Sequence, residues 1–240
     1  MASIWARDRR QRFYGLLGLF GLLAIAVGFS TTYFIPLAER RIDVPPLVHL
    51  HGIAAFSWVA LLVAQASLVR HGNTKLHIAV GRAGLPLAIL IWFSGVATAL
   101  WAATRDLPSQ GTVATSAFLG TVNGLTLFLL LVIAAILVRR RPDWHKRLIL
   151  LATIHVLWPA FFRWRHLFPM IPRPDIWLAL VAPYSLIIVA GVRDKFKYGR
   201  VHPVWLIVGP ALVIEQSFEV ATFNAAPLRQ WGQALYTILS

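Results

Sequence analysis

The chain has 240 residues, 58% of them hydrophobic and 13% charged, with a formal net charge of +14. A soluble domain carries about 25% charged residues, so this composition excludes an ordinary water-soluble globule. Cysteine is absent, which excludes disulfides, iron–sulfur clusters and thiolate nucleophiles. The basic residues lie in short links between apolar runs, where they read as topology signals and lipid contacts, so membrane lipids are expected partners and nucleic acid is not.

Apolar stretches run near 14–35, 47–69, 78–101, 113–138, 146–167, 175–191 and 203–223. Each approaches or exceeds the ~20 residues needed to cross a bilayer. They predict an all-α polytopic transmembrane bundle of about seven spans, forming a single integral membrane domain over residues 1–240. The first span follows a basic patch, MASIWARDRRQRF. Ala24-Ile25-Ala26 resembles a signal-peptidase site, but the apolar run continues past it, which predicts a retained span. Gly15, Gly18 and Gly21 would let a neighbouring helix approach this span closely. Lys and Arg are about twice as frequent on one side of the alternating links, which places the N-terminus in the cytoplasm and the C-terminus outside. The residues after 223, with Arg229, read as a tail.

In the fourth span Gly120 and Gly124 form a GxxxG pair, a signal of close helix contact. Pro86, Pro159, Pro183 and Pro210 interrupt four spans and predict kinks. Pro159 excludes the carbonyl four residues back, that of His155. Asn123 and Gln65 are intramembrane polar groups suited to bonding across helices.

The histidines fall into two layers, with His155 between them. His71, His77, His145 and His202 lie on the predicted inner side; His49, His51 and His166 lie on the outer side. Imidazole is the commonest metal ligand, and facing histidines in bundles hold haem or metal. His77, His145 and His202 begin helices and have cationic neighbours, Arg82, Arg147 and Arg200 among them. A bare divalent cation is repelled there, whereas an anionic group such as a haem propionate or lipid phosphate is held. On the outer side Glu215 and Glu219 stand one helical turn apart on one face, at about the depth of His49 and His51. Such a set could hold iron or zinc, or relay protons. An ion pair of Glu219 with Arg163 or Arg165 is the plainer alternative.

Some activities are excluded. Every lysine (75, 146, 195, 197) lies in a link, so no retinal-type Schiff base is expected. There is no Walker loop, GxGxxG or GxSxG. The HxxxH pair in the last span of adiponectin-receptor and alkaline-ceramidase type hydrolases is missing too.

The segment HGIAAFSWVALLVAQASLVRHGNTKLHIAVGRAG, with His51, Trp58, Gln65, His77 and Gly81, resembles a group of predicted polytopic bacterial membrane proteins of unassigned function. DWHKRLILLATIHVLWPAFFR and DKFKYGRVHP resemble its later blocks. The resemblance implies a multi-pass protein of the bacterial inner (cytoplasmic) membrane. A weaker resemblance is to the ascorbate-reducible membrane cytochromes b, which hold haem between histidines on neighbouring spans. The leading expectation is therefore a haem b redox protein. His77 and His145 would be the ligands, with His202 as substitute. Arg82, Arg147 and Arg200 would sit at the propionates, and a quinone or electron-transfer partner would serve it. The alternatives are a metal-dependent enzyme using His49, His51, His155, Glu215 and Glu219 with iron or zinc, and a non-enzymatic lipid-binding, transport or assembly protein.

Overall fold

A computed structural model of the chain describes residues 12–223 and 225–240; most of the basic N-terminal patch lies outside them. The described residues contain helices and no strand. In order these are α1 (Phe13–Gly28), α2 (Ile35–Ala38), α3 (Pro46–Arg70), α4 (Thr74–Gly81), α5 (Gly84–Gln110) and α6 (Thr112–Leu137). Then come α7 (Pro142–Val156), α8 (Trp158–Arg163), α9 (Pro174–Ile176), α10 (Ala182–Tyr198), α11 (Gly209–Thr222) and α12 (Ala226–Leu239). Five helical stretches are long and apolar enough to cross a membrane, and a sixth is formed by α1 with Ser30–Ala38, bent by 48°. The predicted fifth span is split at Leu157 into α7 and α8, so neither piece has spanning length by itself.

The distribution of side chains is that of a protein in lipid. Phe196 is 87% exposed, Leu137 75% and Phe93 63%, whereas Arg147, His155, Asp194 and His202 are all 1% exposed or less. Hydrocarbon solvates the first group, and only protein partners can satisfy the second. The chain is an integral membrane protein, an all-α helical bundle.

Proline writes the irregularities. A proline ring collides with the carbonyl four residues earlier and supplies no N–H. Five-residue π-helical turns at Ser30–Phe34, Trp177–Val181 and Val204–Val208 each contain the residue four before a proline: Thr32 for Pro36, Ala179 for Pro183 and Leu206 for Pro210. The wider turn moves the offending carbonyl aside, as π-bulges do. For Pro86 the residue four back is Arg82, in the break between α4 and α5; for Pro159 it is His155, just before the break at Leu157.

The helices pack as a chain of neighbours: α1 on α3 and α8, α3 on α5, α5 on α6, α6 on α7, and α7 on α10. The α1 glycines do what their spacing predicts. Gly18 admits Val63 and Leu62, and Gly21 admits Val59 and Leu157. Residues 226–239 are not a loose tail: α12 packs on α6, with Gly232 against the Thr115 backbone and the Tyr236 ring on Phe118.

Candidate functional site

Four helices, α6, α7, α10 and α11, carry a polar seam through the apolar interior, and it starts at His155 in the last turn of α7. His155 Nε2 lies 3.1 Å from Gly124 O, and Nδ1 lies 2.7 Å from the Tyr184 hydroxyl. A carbonyl only accepts, so the bonding assigns the ring proton to Nε2 and leaves Nδ1 to accept from the phenol. The same phenol is 3.4 Å from Gln216 Oε1. One proton cannot serve both, and the shorter contact takes it while His155 is neutral.

Beside Gln216 on α11, Glu215 Oε1 accepts from Asn123 Nδ2 of α6. Glu215 Oε2 is buried without a hydrogen-bond partner among the described residues. One turn on, the Glu219 carboxylate occupies the space that a side chain at Gly120 would fill, within reach of Asn123. The predicted GxxxG pair therefore receives chemical groups rather than a bare helix: Gly120 takes Glu219, and Gly124 takes the His155 and Trp158 rings. Neither glutamate is paired with Arg163 or Arg165 among the described ion pairs.

A second polar cluster lies at the other end of the same helices. Arg147 Nε donates to Asp194 Oδ2 at 2.7 Å with both side chains at most 1% exposed. Arg147 Nη1 also donates to Asp143 O at 2.8 Å. Asp194 further accepts from Trp205 Nε1 at 2.9 Å and from Arg193 Nη1 at 3.0 Å. His202 stacks edge-on against Trp144; its Nδ1 accepts from Val204 N–H at 3.2 Å, which turns Nε2 toward Asp143 Oδ2 at 3.6 Å. Burial, and then the Arg147 charge, hold this imidazole below its ordinary titration range, with Asp143 pulling the other way.

The remaining predicted residues are dispersed. His49 and His51 are two apart on α3, a spacing that points side chains to different neighbours. His49 Nδ1 meets the Tyr33 hydroxyl; His51 Nδ1 meets Ser94 Oγ at 3.2 Å. They do not join Glu215 and Glu219, and no group of three potential metal ligands converges among the described residues. On the predicted inner side His145 Nδ1 lies 2.8 Å from Ala135 O, which leaves Nε2 with the lone pair, and His145 is near enough to His77 to act on it electrostatically. His77 is set the opposite way. With the Gln65 amide oriented so that both its atoms find partners, its nitrogen donates to His77 Nδ1 and, at 3.0 Å, to the His77 carbonyl, while its oxygen accepts from Gly81 N–H at 2.9 Å. Arg82 and Arg200 are exposed, and Arg147 is committed to Asp194.

Sequence reasoning missed Tyr184, Gln216, Asp194 and Trp205. The span predicted at 175–191 stops short of Asp194, whereas α10 continues to Tyr198 and carries this carboxylate within the helix. Comparison of the chain with protein-family models, with curated proteins and with solved structures returns no match.

Proposed function

We propose that this membrane protein works by loading and releasing a proton at the Glu215–Glu219 pair. The observation that carries the reading is two carboxylates one turn apart, held against α6 by Asn123 and Gly120, with no cation paired to them among the described residues. Two such groups cannot both stay ionised in an apolar interior without a counter-charge, and a proton is the smallest that fits. Tyr184, which bonds to His155 and lies 3.4 Å from Gln216 next to Glu215, continues the polar seam toward the bundle centre, where it ends at Gly124 O. Beyond it, on α7, lie Leu148, Leu150 and Leu151, all buried. A path that stops at a leucine layer suits proton-coupled transport or redox chemistry better than a proton channel. The charge bias of the links supports an N-terminus in the cytoplasm, and the resemblance to predicted bacterial membrane proteins supports the inner membrane as its location.

Infrared difference spectra of the reconstituted protein across a pH step test this. The wild type is expected to show a titrating carboxylic C=O band that is lost or displaced in Glu219→Gln and Glu215→Gln. Identical spectra in wild type and both variants would sink the proposal.

A second reading, haem b between His77 and His145, is favoured by the fixed orientation of His145, whose Nδ1–H on a backbone carbonyl is what a ligating imidazole needs. The fit is half complete, since the Gln65 amide holds His77 in the tautomer that keeps Nε2 protonated. Haem, if held there, would supply one-electron transfer. Under this reading a Soret band in the purified protein, sharpening on dithionite, should vanish in His145→Ala. A colourless protein from haem-replete cells removes the reading.

A further inference from the structure

At the end of the bundle opposite Arg147, positive charge outruns the acidic groups that could neutralise it. Three acids there are each taken by an arginine one or two residues away: Glu39 by Arg41, Asp106 by Arg105 and Asp175 by Arg173. Asp43 is exposed, and Glu215 and Glu219 are turned to α6. Arg163 and Arg165, both half-buried, have no carboxylate within ion-pair distance among the described residues.

Both guanidinium groups are nevertheless held in place. Arg163 Nη1 donates to Pro159 O at 3.0 Å, and its Cζ stands 4.3 Å from the centre of the Phe29 ring. Arg165 repeats the arrangement, with Nη1 on Phe162 O at 2.9 Å and Cζ 3.9 Å from the Phe162 ring. Each bond to a carbonyl uses one of five N–H donors and each ring covers one face, so a planar edge is left to offer a pair of parallel donors. Arg163 is close enough to feel the Arg165 charge, and its own is felt at the His51 ring. His51 is committed elsewhere: the Ser94 hydroxyl donates to Leu90 O at 2.6 Å, so it is left to accept from His51 Nδ1, and the neutral ring keeps no second N–H for an anion. Fixing like charges together away from bulk water is costly unless an anion joins them.

We propose that Arg163, with Arg165 beside it, is a binding site for an oxyanion of the phosphate or carboxylate class, between α1 and α8. A guanidinium edge matches two oxygens of such a group. The occupant is either the phosphate of an anionic phospholipid or a free anion arriving from water. This site shares no residue with the proton seam and stands without it.

Thermal unfolding of the purified chain tests the site in two arms at matched ionic strength: inorganic phosphate against chloride in detergent, and phosphatidylglycerol against phosphatidylcholine in nanodiscs. The wild type is expected to unfold at higher temperature with phosphate, with phosphatidylglycerol, or with both. The apparent affinity should fall at least tenfold in Arg163→Gln and stay unchanged in Arg41→Gln, which removes an exposed charge from the same end. A response to inorganic phosphate identifies a free-anion site; a response to phosphatidylglycerol alone identifies a lipid site. If Arg163→Gln does not fold, Arg165→Gln takes its place, with a several-fold loss expected. No response to either anion in the wild type, or an undiminished response in the arginine variant, overturns the proposal.

Discussion

Replacing Asp194 by alanine is expected to destabilise the protein by about 3 to 5 kcal/mol, the range for removing one partner of a buried ion pair. The cost does not measure the worth of the Arg147–Asp194 bond. It reflects what is left behind: an arginine that is 0% exposed and the Trp205 N–H, both having lost their acceptor. Arg193→Ala should cost far less, because that side chain is partly exposed and Asp194 keeps its two other donors. The double replacement Arg147→Met with Asp194→Leu should recover most of the loss, since it removes both desolvated charges together. Unfolding of the purified variants followed by circular dichroism gives the comparison. A single-variant loss below ~1 kcal/mol would mean that water reaches the pair, the signature of an exposed one.

The same cluster bears on the proton path through geometry. Arg147, Asp194 and Trp205 come from α7, from α10 and from the π-helical turn leading into α11. Those helices carry His155, Tyr184 and Gln216 onward by eight to eleven residues, about 12 to 17 Å at the helical rise. A slip of any one helix at the charged end would therefore move its member of the His155–Tyr184–Gln216 set by the same amount. Asp194→Ala should accordingly alter the carboxylate band in infrared spectra even where the protein stays folded.

Much of the scaffold was legible because the bilayer itself sets the rules. Span length, the placement of prolines and the glycine face of α1 follow from single-helix physics, and the spacing of Glu215 and Glu219 put them on one face in advance. What single-helix physics does not contain is which faces meet. Tyr184 and His155 are separated by 29 residues and Arg147 and Asp194 by 47. Asp194 was hidden by its surroundings: among Arg193, Lys195 and Lys197 it resembles part of a solvated link. His49 and His51 looked like a pair in the linear chain but diverge on the helix. The helix α12 was written in the spacing of Leu228, Gly232, Leu235 and Tyr236, yet its 14 residues fall short of a span and drew no attention.

Gly28 shows how tightly the meeting faces are specified, and its replacement by valine is expected to be among the most disruptive single changes. Its backbone is helical, so a larger residue meets no conformational obstacle there; the obstacle is space. A Cβ at Gly28 would overlap Ala160 O and lie 2.8 Å from the carbonyl carbon. Those are backbone atoms of α8, fixed by Ala160 N–H on Leu157 O at 3.0 Å and by Trp164 Nε1 on Ala24 O at 3.2 Å. No side chain can swing away, so α1 and α8 must separate, at a cost of about 3 kcal/mol or more where ordinary overpacking costs ~1 to 3. Separation would also draw Phe29 from Arg163, so Gly28→Val should weaken anion binding together with stability. Gly52, within α3 and with nothing within 4 Å of its would-be Cβ, is the comparison. Gly52→Ala should be neutral or stabilising by roughly 0.5 to 1 kcal/mol, the helical preference for alanine over glycine. Equal midpoints for the two variants in thermal unfolding would show that the α1–α8 contact yields without cost, and would overturn the close approach of these helices as a determinant of the fold.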